Sequence, residues 1–372
     1  MTAVASSTRF QRLLLPGLAF KAVVIGGGYA TGRELAEYFL PSGPWGGLAA
    51  MTLSMLWFSL VCIVTFLFAR RVGALDYRSF FRQLLGPGWW LFEAAYLLFI
   101  ILILAVYGAA AGAIGAAVFG VSDVWGTVVL AIAIGAVVTF GNRSVERMFE
   151  WVSYLLYAVY ALFIVLALGQ FGDHVAGAFA VAAPMPGWFA GGTIYAGYNV
   201  IGAVVVLPVV RHLTSDRDAV IAGLVAGPLA MIPALLFFIA MIAFYPAIAG
   251  ATLPSDFLLR QMHLPLFALA FQLMIFAALL ESGASSVHAV NERIANAVLA
   301  RSGVTLGHRA RLAIALALLV GCMFVAGRFG LVALIANGYR ALAYALIAVY
   351  VVPLMTLGVW RLLHHDTVPE AT

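Results

Sequence analysis

Charge is what this chain has least of. Asp, Glu, Lys and Arg together make 9% of its 372 residues, against about 25% in an ordinary soluble domain. That scarcity, set beside 65% apolar residues, excludes a water-soluble globular protein and equally a disordered one. The formal net charge of +5 is no nucleic-acid footprint, because the arginines fall in short stretches between apolar runs and form no basic face. Cys62 and Cys322 lie inside apolar runs and read as packing residues, so they say nothing about redox compartment. There is no nucleotide fingerprint, since no strand precedes the one glycine run and its spacing is wrong. His288 and Asn291 near Glu281 have no paired glutamates or His-x-x-x-His set beside them, and His212, His308, His364 and His365 form no metal set, so neither an intramembrane hydrolase nor any other enzyme is expected.

What is present is a series of long apolar runs. About 20 apolar residues cross a bilayer core, and ten runs of that kind occur, at 13–39, 46–69, 89–119, 124–141, 150–170, 187–210, 218–244, 264–299, 311–327 and 331–360. The start resembles a signal peptide, but Lys21 interrupts its apolar run and the run continues past any cleavage site, so it is expected to stay. With the N-terminus placed in the cytoplasm, Arg70, Arg71, Arg78 and Arg82, then Arg143 and Arg147, then Arg211 and Arg217, then Arg301, Arg309 and Arg311, and last Arg361 all fall inside. Only Arg260 and Arg328 fall outside, which is the bias that sets orientation. Ten spans in a cell inner membrane, with both termini cytoplasmic, follow as the expectation.

The first run is interrupted by Gly26-Gly27-Gly28-Tyr29-Ala30-Thr31-Gly32. Glycines inside a helix cost about 1 kcal/mol each relative to alanine, and backbone released from a helix in lipid must find protein partners or line a cavity. The sixth run has its own weak point over 191–202, Gly191-Gly192-Thr193-Ile194-Tyr195-Ala196-Gly197-Tyr198-Asn199-Val200-Ile201-Gly202. Both halves place a long polar connection after their second run, at 70–88 and 245–265, followed by an unusually long third run. Five spans is an odd number, so the second half enters the membrane inverted. The expected layout is an N-tail (1–12), a first repeat (13–170), an extracytoplasmic connection (171–186), a second repeat (187–360) and a C-tail (361–372). Interrupted helices at matching places in two inverted halves point to the binding site of a transporter.

The stretches Gly27-Gly28-Tyr29-Ala30-Thr31-Gly32-Arg33-Glu34, His288-Ala289-Val290-Asn291-Glu292-Arg293-Ile294 and Ala336-Asn337-Gly338-Tyr339 resemble the recurring motifs of the YkvI-type amino-acid permease family. That family belongs to the amino acid–polyamine–organocation superfamily with the LeuT fold. The resemblance runs over all ten spans and departs at Arg33, where the family has glutamine. It implies an all-α membrane protein with a 5+5 inverted repeat and first and sixth helices broken at mid-membrane. The metal-carrying branch of that fold has an acidic, asparagine-bearing first break, which this glycine run lacks.

Two readings of the glycine run stand side by side: a small-xxx-small packing face and a broken helix. If the helix breaks, amides near Tyr29, Ala30 and Thr31 suit an anion and carbonyls around Gly26, Gly27 and Gly28 suit a cation, so a zwitterion satisfies both. Tyr195, Tyr198 and Asn199 of the sixth run are packing residues or further solute contacts, and their rings would also hold a quaternary ammonium. Ser282, Ser285 and Ser286 of the eighth run, facing Gly26, are candidate sodium ligands, as the resemblance implies; otherwise they bond back to their own helix. Intramembrane charges usually mark function. Arg33, Glu34, Glu281 and Arg340 are the candidate gating and coupling residues, with Glu34 and Arg340 as an outer gate of the kind the resemblance implies, Arg33 directed to Glu281, and Glu281 as the carrier if the coupled ion is a proton. The expected function is sodium-coupled uptake of an amino acid or similar small zwitterion by alternating access. Proton-coupled or uncoupled carriage of a betaine-like solute, a channel and a non-transporting sensor remain as alternatives, the last lowered because the chain ends about a dozen residues after its final span. The partners are the solute and the bilayer; no resident cofactor is expected beyond a possible sodium ion, and oligomeric state is not legible.

Overall fold

The computed structural model describes residues 7–26, 29–140, 143–181, 187–303 and 305–364, and all regular structure among them is helical. A short helix α1 (Arg9–Leu13) opens on a capping box, in which Thr8 and Gln11 bond each other's backbone amides. The first span is then in two pieces, α2 (Leu15–Val24) and α3 (Arg33–Tyr38). The second is α4 (Gly43–Arg71), started by Pro44 in its first turn. The long connection after it carries a surface helix, α5 (Tyr77–Leu85), capped by Asp76 and buried through Phe80, Phe81 and Leu84. The third, fourth and fifth spans are α6 (Trp90–Phe119), α7 (Asp123–Phe140) and α8 (Arg143–Val181). α8 therefore continues through much of the stretch expected as a connection.

The second half repeats this order. Its first span is α9 (Trp188–Asn199) with α10 (Ile201–Val205), its second α11 (Asp216–Ile242), and the long connection again holds a surface helix, α12 (Pro254–Gln261). The third span is the long α13 (Pro265–Ser302), and α14 (His308–Ala333) follows. Gly330, at φ 73° and ψ 168°, turns the chain inside α14 and so divides the ninth span from the tenth. The tenth alternates α15 (Arg340–Leu346) and α16 (Val359–His364) with π-helical turns at Leu334–Tyr339, Ile347–Val351 and Leu354–Gly358.

The two halves interlock through their first and second spans, with α11 against α4 and α2, and α4 against α9. The face of α11 is built for this: Ala219, Ala222, Ala226, Ala230 and Ala234 recur at helical spacing and are wholly buried, so side chains small enough for close backbone approach do the packing. Ser59 of α4 ties the crossing by donating to the Leu224 carbonyl at 2.8 Å. The outward surface is the reverse of a soluble protein's. Leu56, Leu98, Ile132, Val165, Leu236 and Phe324 all point outward and are exposed, which is a stable arrangement only against lipid.

Candidate functional site

The interruption of the first span is a set of specific turns. α2 ends at Val24, and Ile25 leaves the helix at φ −92° and ψ 76°. A single 3-10 turn follows at Tyr29–Thr31, and Gly32 then adopts the left-handed conformation at φ 76° as the residue before α3. Gly27 and Gly28 lie outside the described residues. Gly32 has a second constraint besides its dihedral, because a Cβ there would lie 2.8 Å from the Phe237 ring. The amides starting the second piece are partly satisfied within the turn: Gly32 N–H donates to the Tyr29 carbonyl (3.0 Å) and Arg33 N–H to the Thr31 hydroxyl (3.3 Å).

Beside this interruption lies a cavity of about 30 Å3. It is lined by Val23, Val24, Gly26, Tyr29 and Glu34 of the first span, by Tyr198, Asn199 and Ile201 of the sixth, and by Phe99, Ile103, Tyr107 and Tyr339. That space admits about two waters and lies roughly tenfold below a typical ligand site, so a solute enters only if the helices part. Glu34, 6% exposed, accepts a hydrogen bond from the Tyr198 hydroxyl. Tyr198 in turn packs against the tilted ring of Tyr339 at a centroid distance of 4.5 Å. The hydroxyls of Tyr29 and Tyr195, both buried, find no hydrogen-bond partner among the described residues.

Of the expected solute contacts, the structure gathers Gly26, Tyr29, Tyr198 and Asn199 around one cavity. Ala30 and Thr31 are buried in the adjoining turn. Tyr195 packs instead into an aromatic cluster with Phe39 (4.8 Å) and Phe58 (6.1 Å). The sixth span is divided at Val200, inside the 191–202 stretch, where Ala203 N–H bonds the Val200 carbonyl. Gly191 and Gly192 serve close packing: a Cβ would lie 2.1 Å from the Tyr38 carbonyl oxygen at the first and 2.5 Å from that of Ala50 at the second.

The charged residues pair differently from expectation. Arg33 donates to Glu37 at 2.8 Å and to the carbonyls of Ala249 (3.1 Å) and Ala251 (2.9 Å), so it is anchored to the connection before α12 and is not directed to Glu281. Arg340 lies 4.0 Å from Glu37. The charge cluster here is thus Arg33–Glu37–Arg340, and Glu34, expected as half of a gate with Arg340, faces the cavity. The physical reason is helical: Glu37 follows Arg33 by four residues and shares its face, while Glu34 points about 100° away. Glu281 sits half-buried on α13.

The serines also divide. Ser286 donates to the Ser282 carbonyl one turn back at 2.8 Å, and Ser285 is exposed. Ser282 is the one at the interruption, with its hydroxyl 4.0 Å and that of Tyr107 3.4 Å from the place a Gly26 Cβ would occupy. Among the described residues no group of three or more His, Cys, Asp or Glu side chains forms a metal site. Sequence reasoning missed Tyr107, Phe99 and Ile103 on α6. Tyr107 carries one signal, standing directly before the small-residue run Gly108–Gly112. Tyr339 was within a quoted motif but given no role.

No family model and no curated protein matches the chain. Solved structures do. The structure of MhsT in complex with L-phenylalanine aligns over 96% of this chain and 97% of its own, at TM-score 0.58 and 16% identity. A substrate-bound, outward-open Na+-coupled sialic acid symporter aligns over 92% of this chain and 75% of its own, at TM-score 0.55 and 13% identity. The manganese transporter of Eremococcus coleocola aligns over 91% of this chain and 77% of its own, at TM-score 0.54 and 17% identity. These are transporters and not enzymes. The chain therefore has the LeuT-like fold of multi-pass membrane transporters, with its first span interrupted beside a small cavity.

Proposed function

We propose that the protein is a secondary active transporter that takes up an amino acid or similar small zwitterion together with sodium, by alternating access, in a cell inner membrane with both termini cytoplasmic. The observation that carries this reading is the interruption of the first span, with α2 ending at Val24 and a 3-10 turn at Tyr29–Thr31, beside a small cavity lined by Gly26, Glu34 and four tyrosines. An interrupted helix at such a cavity is how transporters of this architecture hold small solutes and ions. The likeness to MhsT, solved with L-phenylalanine, supports the amino-acid arm, and the likeness to a Na+-coupled symporter supports the sodium arm. Ser282, near Gly26, is the first candidate ligand, with Ser285 and Ser286 as the further members of the set. The Arg33–Glu37–Arg340 cluster is the outer closure.

A second reading, carriage of a quaternary ammonium solute, is favoured by the tyrosine faces around the cavity. The test is uptake of a labelled amino-acid mixture into proteoliposomes with sodium or choline outside, repeated with Ser282→Ala. Sodium-stimulated uptake that falls in the variant supports the proposal. Equal uptake in both salts removes sodium coupling, and inhibition by glycine betaine but by no amino acid favours the second reading.

A further inference from the structure

Among the described residues, Glu34 has no cationic partner. It is buried, it lines the cavity, and its hydrogen bond comes from a neutral phenol, Tyr198. Its sequence neighbour Arg33 is turned away to Glu37 and two carbonyls. Arg340 is at Glu37 as well, and no Lys, Arg or His lines the cavity. A carboxylate in a membrane interior is costly unless something compensates it. Here nothing among the described residues does, although two arginines stand within a few residues or one helix of it. The other polar groups on the cavity wall, the Tyr29, Tyr107, Tyr198 and Tyr339 hydroxyls, the Asn199 amide, whose nitrogen already donates to the Tyr195 carbonyl, and the main chain at Gly26, add oxygen acceptors and aromatic faces. The amides that would hold an anion are partly satisfied by Tyr29 and Thr31.

Resting on the transporter reading above, we propose that Glu34 is the seat of a protonated amine on the transported solute. Tyr198 is a positioning residue that aims the carboxylate, and the rings of Tyr107, Tyr198 and Tyr339 wall the cation. An ammonium with N–H donors satisfies the carboxylate and the phenol oxygens together. A quaternary head offers no donor to any of them, so the assignment selects primary amines over betaines.

The test is equilibrium binding to the full-length purified protein, using the standard L-amino acids, their N-acetyl and N,N,N-trimethyl derivatives, and the decarboxylated amine of the tightest binder. Free amines are expected to bind, and N-acetylation to weaken binding by about 30-fold or more, the loss that follows when one partner of a buried charge pair is removed. Glu34→Gln is expected to lose a similar factor for the free amine while binding the N-acetyl form no worse. Glu34→Asp keeps the preference for amine over N-acetyl, and Tyr198→Phe keeps it with lower affinity. N-acetyl or trimethyl compounds binding the unmodified protein as tightly as free amines would overturn the assignment, whether or not Glu34→Gln folds. So would unchanged amine affinity in a Glu34→Gln protein with an intact unfolding transition. Either result leaves the transporter reading standing; no binding by any member of the panel would overturn both.

Discussion

The geometry of the opened span rests on Gly32, and replacing it with alanine has a cost that follows from two separate terms. At φ 76° a residue with a Cβ pays the left-handed penalty, about 1–2 kcal/mol. The added methyl also meets the Phe237 ring at 2.8 and 3.0 Å and Pro254 at 3.2 Å. That ring cannot swing aside freely: it is wholly buried and packs edge-on against Tyr160 (5.6 Å, 89°) and Phe163 (5.4 Å, 86°). Overpacking of such a core costs roughly 1–3 kcal/mol, so Gly32→Ala should lose about 2–5 kcal/mol in all. Gly73→Ala is the internal control. Gly73 has a similar φ of 65° with nothing within 4 Å of its missing Cβ, so it should lose only the dihedral term, about 1–2 kcal/mol. Thermal unfolding of the detergent-purified proteins should therefore rank wild type above Gly73→Ala and Gly73→Ala above Gly32→Ala. A Gly32→Ala protein that melts no lower than Gly73→Ala would refute the claim that the turn is held by close contact with α11.

Other expectations follow from single contacts. Tyr38→Phe removes the hydroxyl that donates to the Ile335 carbonyl at 2.5 Å in a π-helical turn; a loss of about 0.5–1.5 kcal/mol should appear as a lowered melting temperature. Arg340→Ala breaks a 4.0 Å pair in which the arginine is 47% exposed, so stability should change by under about 1 kcal/mol. Transport rate, read in proteoliposomes, should change if that cluster closes the outer side. The Asp76 carboxyl is raised by partial desolvation but lowered further by bonds from the Ser79 hydroxyl and the Ser79 and Arg78 amides and by the Arg78 charge, so on balance it lies below the usual carboxylate range. A lowered carboxylate contributes stability that is present above its unfolded value and fades as pH falls through the folded one. The melting difference between wild type and Asp76→Ala, about 1 kcal/mol for a lost cap, should hold from neutral pH down to about 5 and shrink only in stronger acid.

The composition and spacing of this chain determined the solvent, the spans and the first interruption. Sparse charge forces the apolar runs into lipid, arginine placement alternates with the runs, and three adjacent glycines are a weak point wherever the helix is packed. The two surface helices α5 and α12 fall in the two long connections that made the repeat legible. Facing was not legible, because a side chain's direction depends on which neighbour its helix leans against. Gly191 and Gly192 look like a second break in one dimension, yet they let α9 meet the Tyr38 and Ala50 carbonyls. Ser285 and Ser286 are adjacent in sequence, yet helical rotation sends one outward and returns the other to its own backbone. Above all, Arg33 and Glu34 look like two equal gate candidates. The i,i+4 spacing on α3 gave the arginine to Glu37, and packing turned the glutamate, with Tyr107 and Tyr339 from distant spans, into one cavity. Residues hundreds of positions apart share no local pattern, and only helix packing brings them within a hydrogen bond of each other.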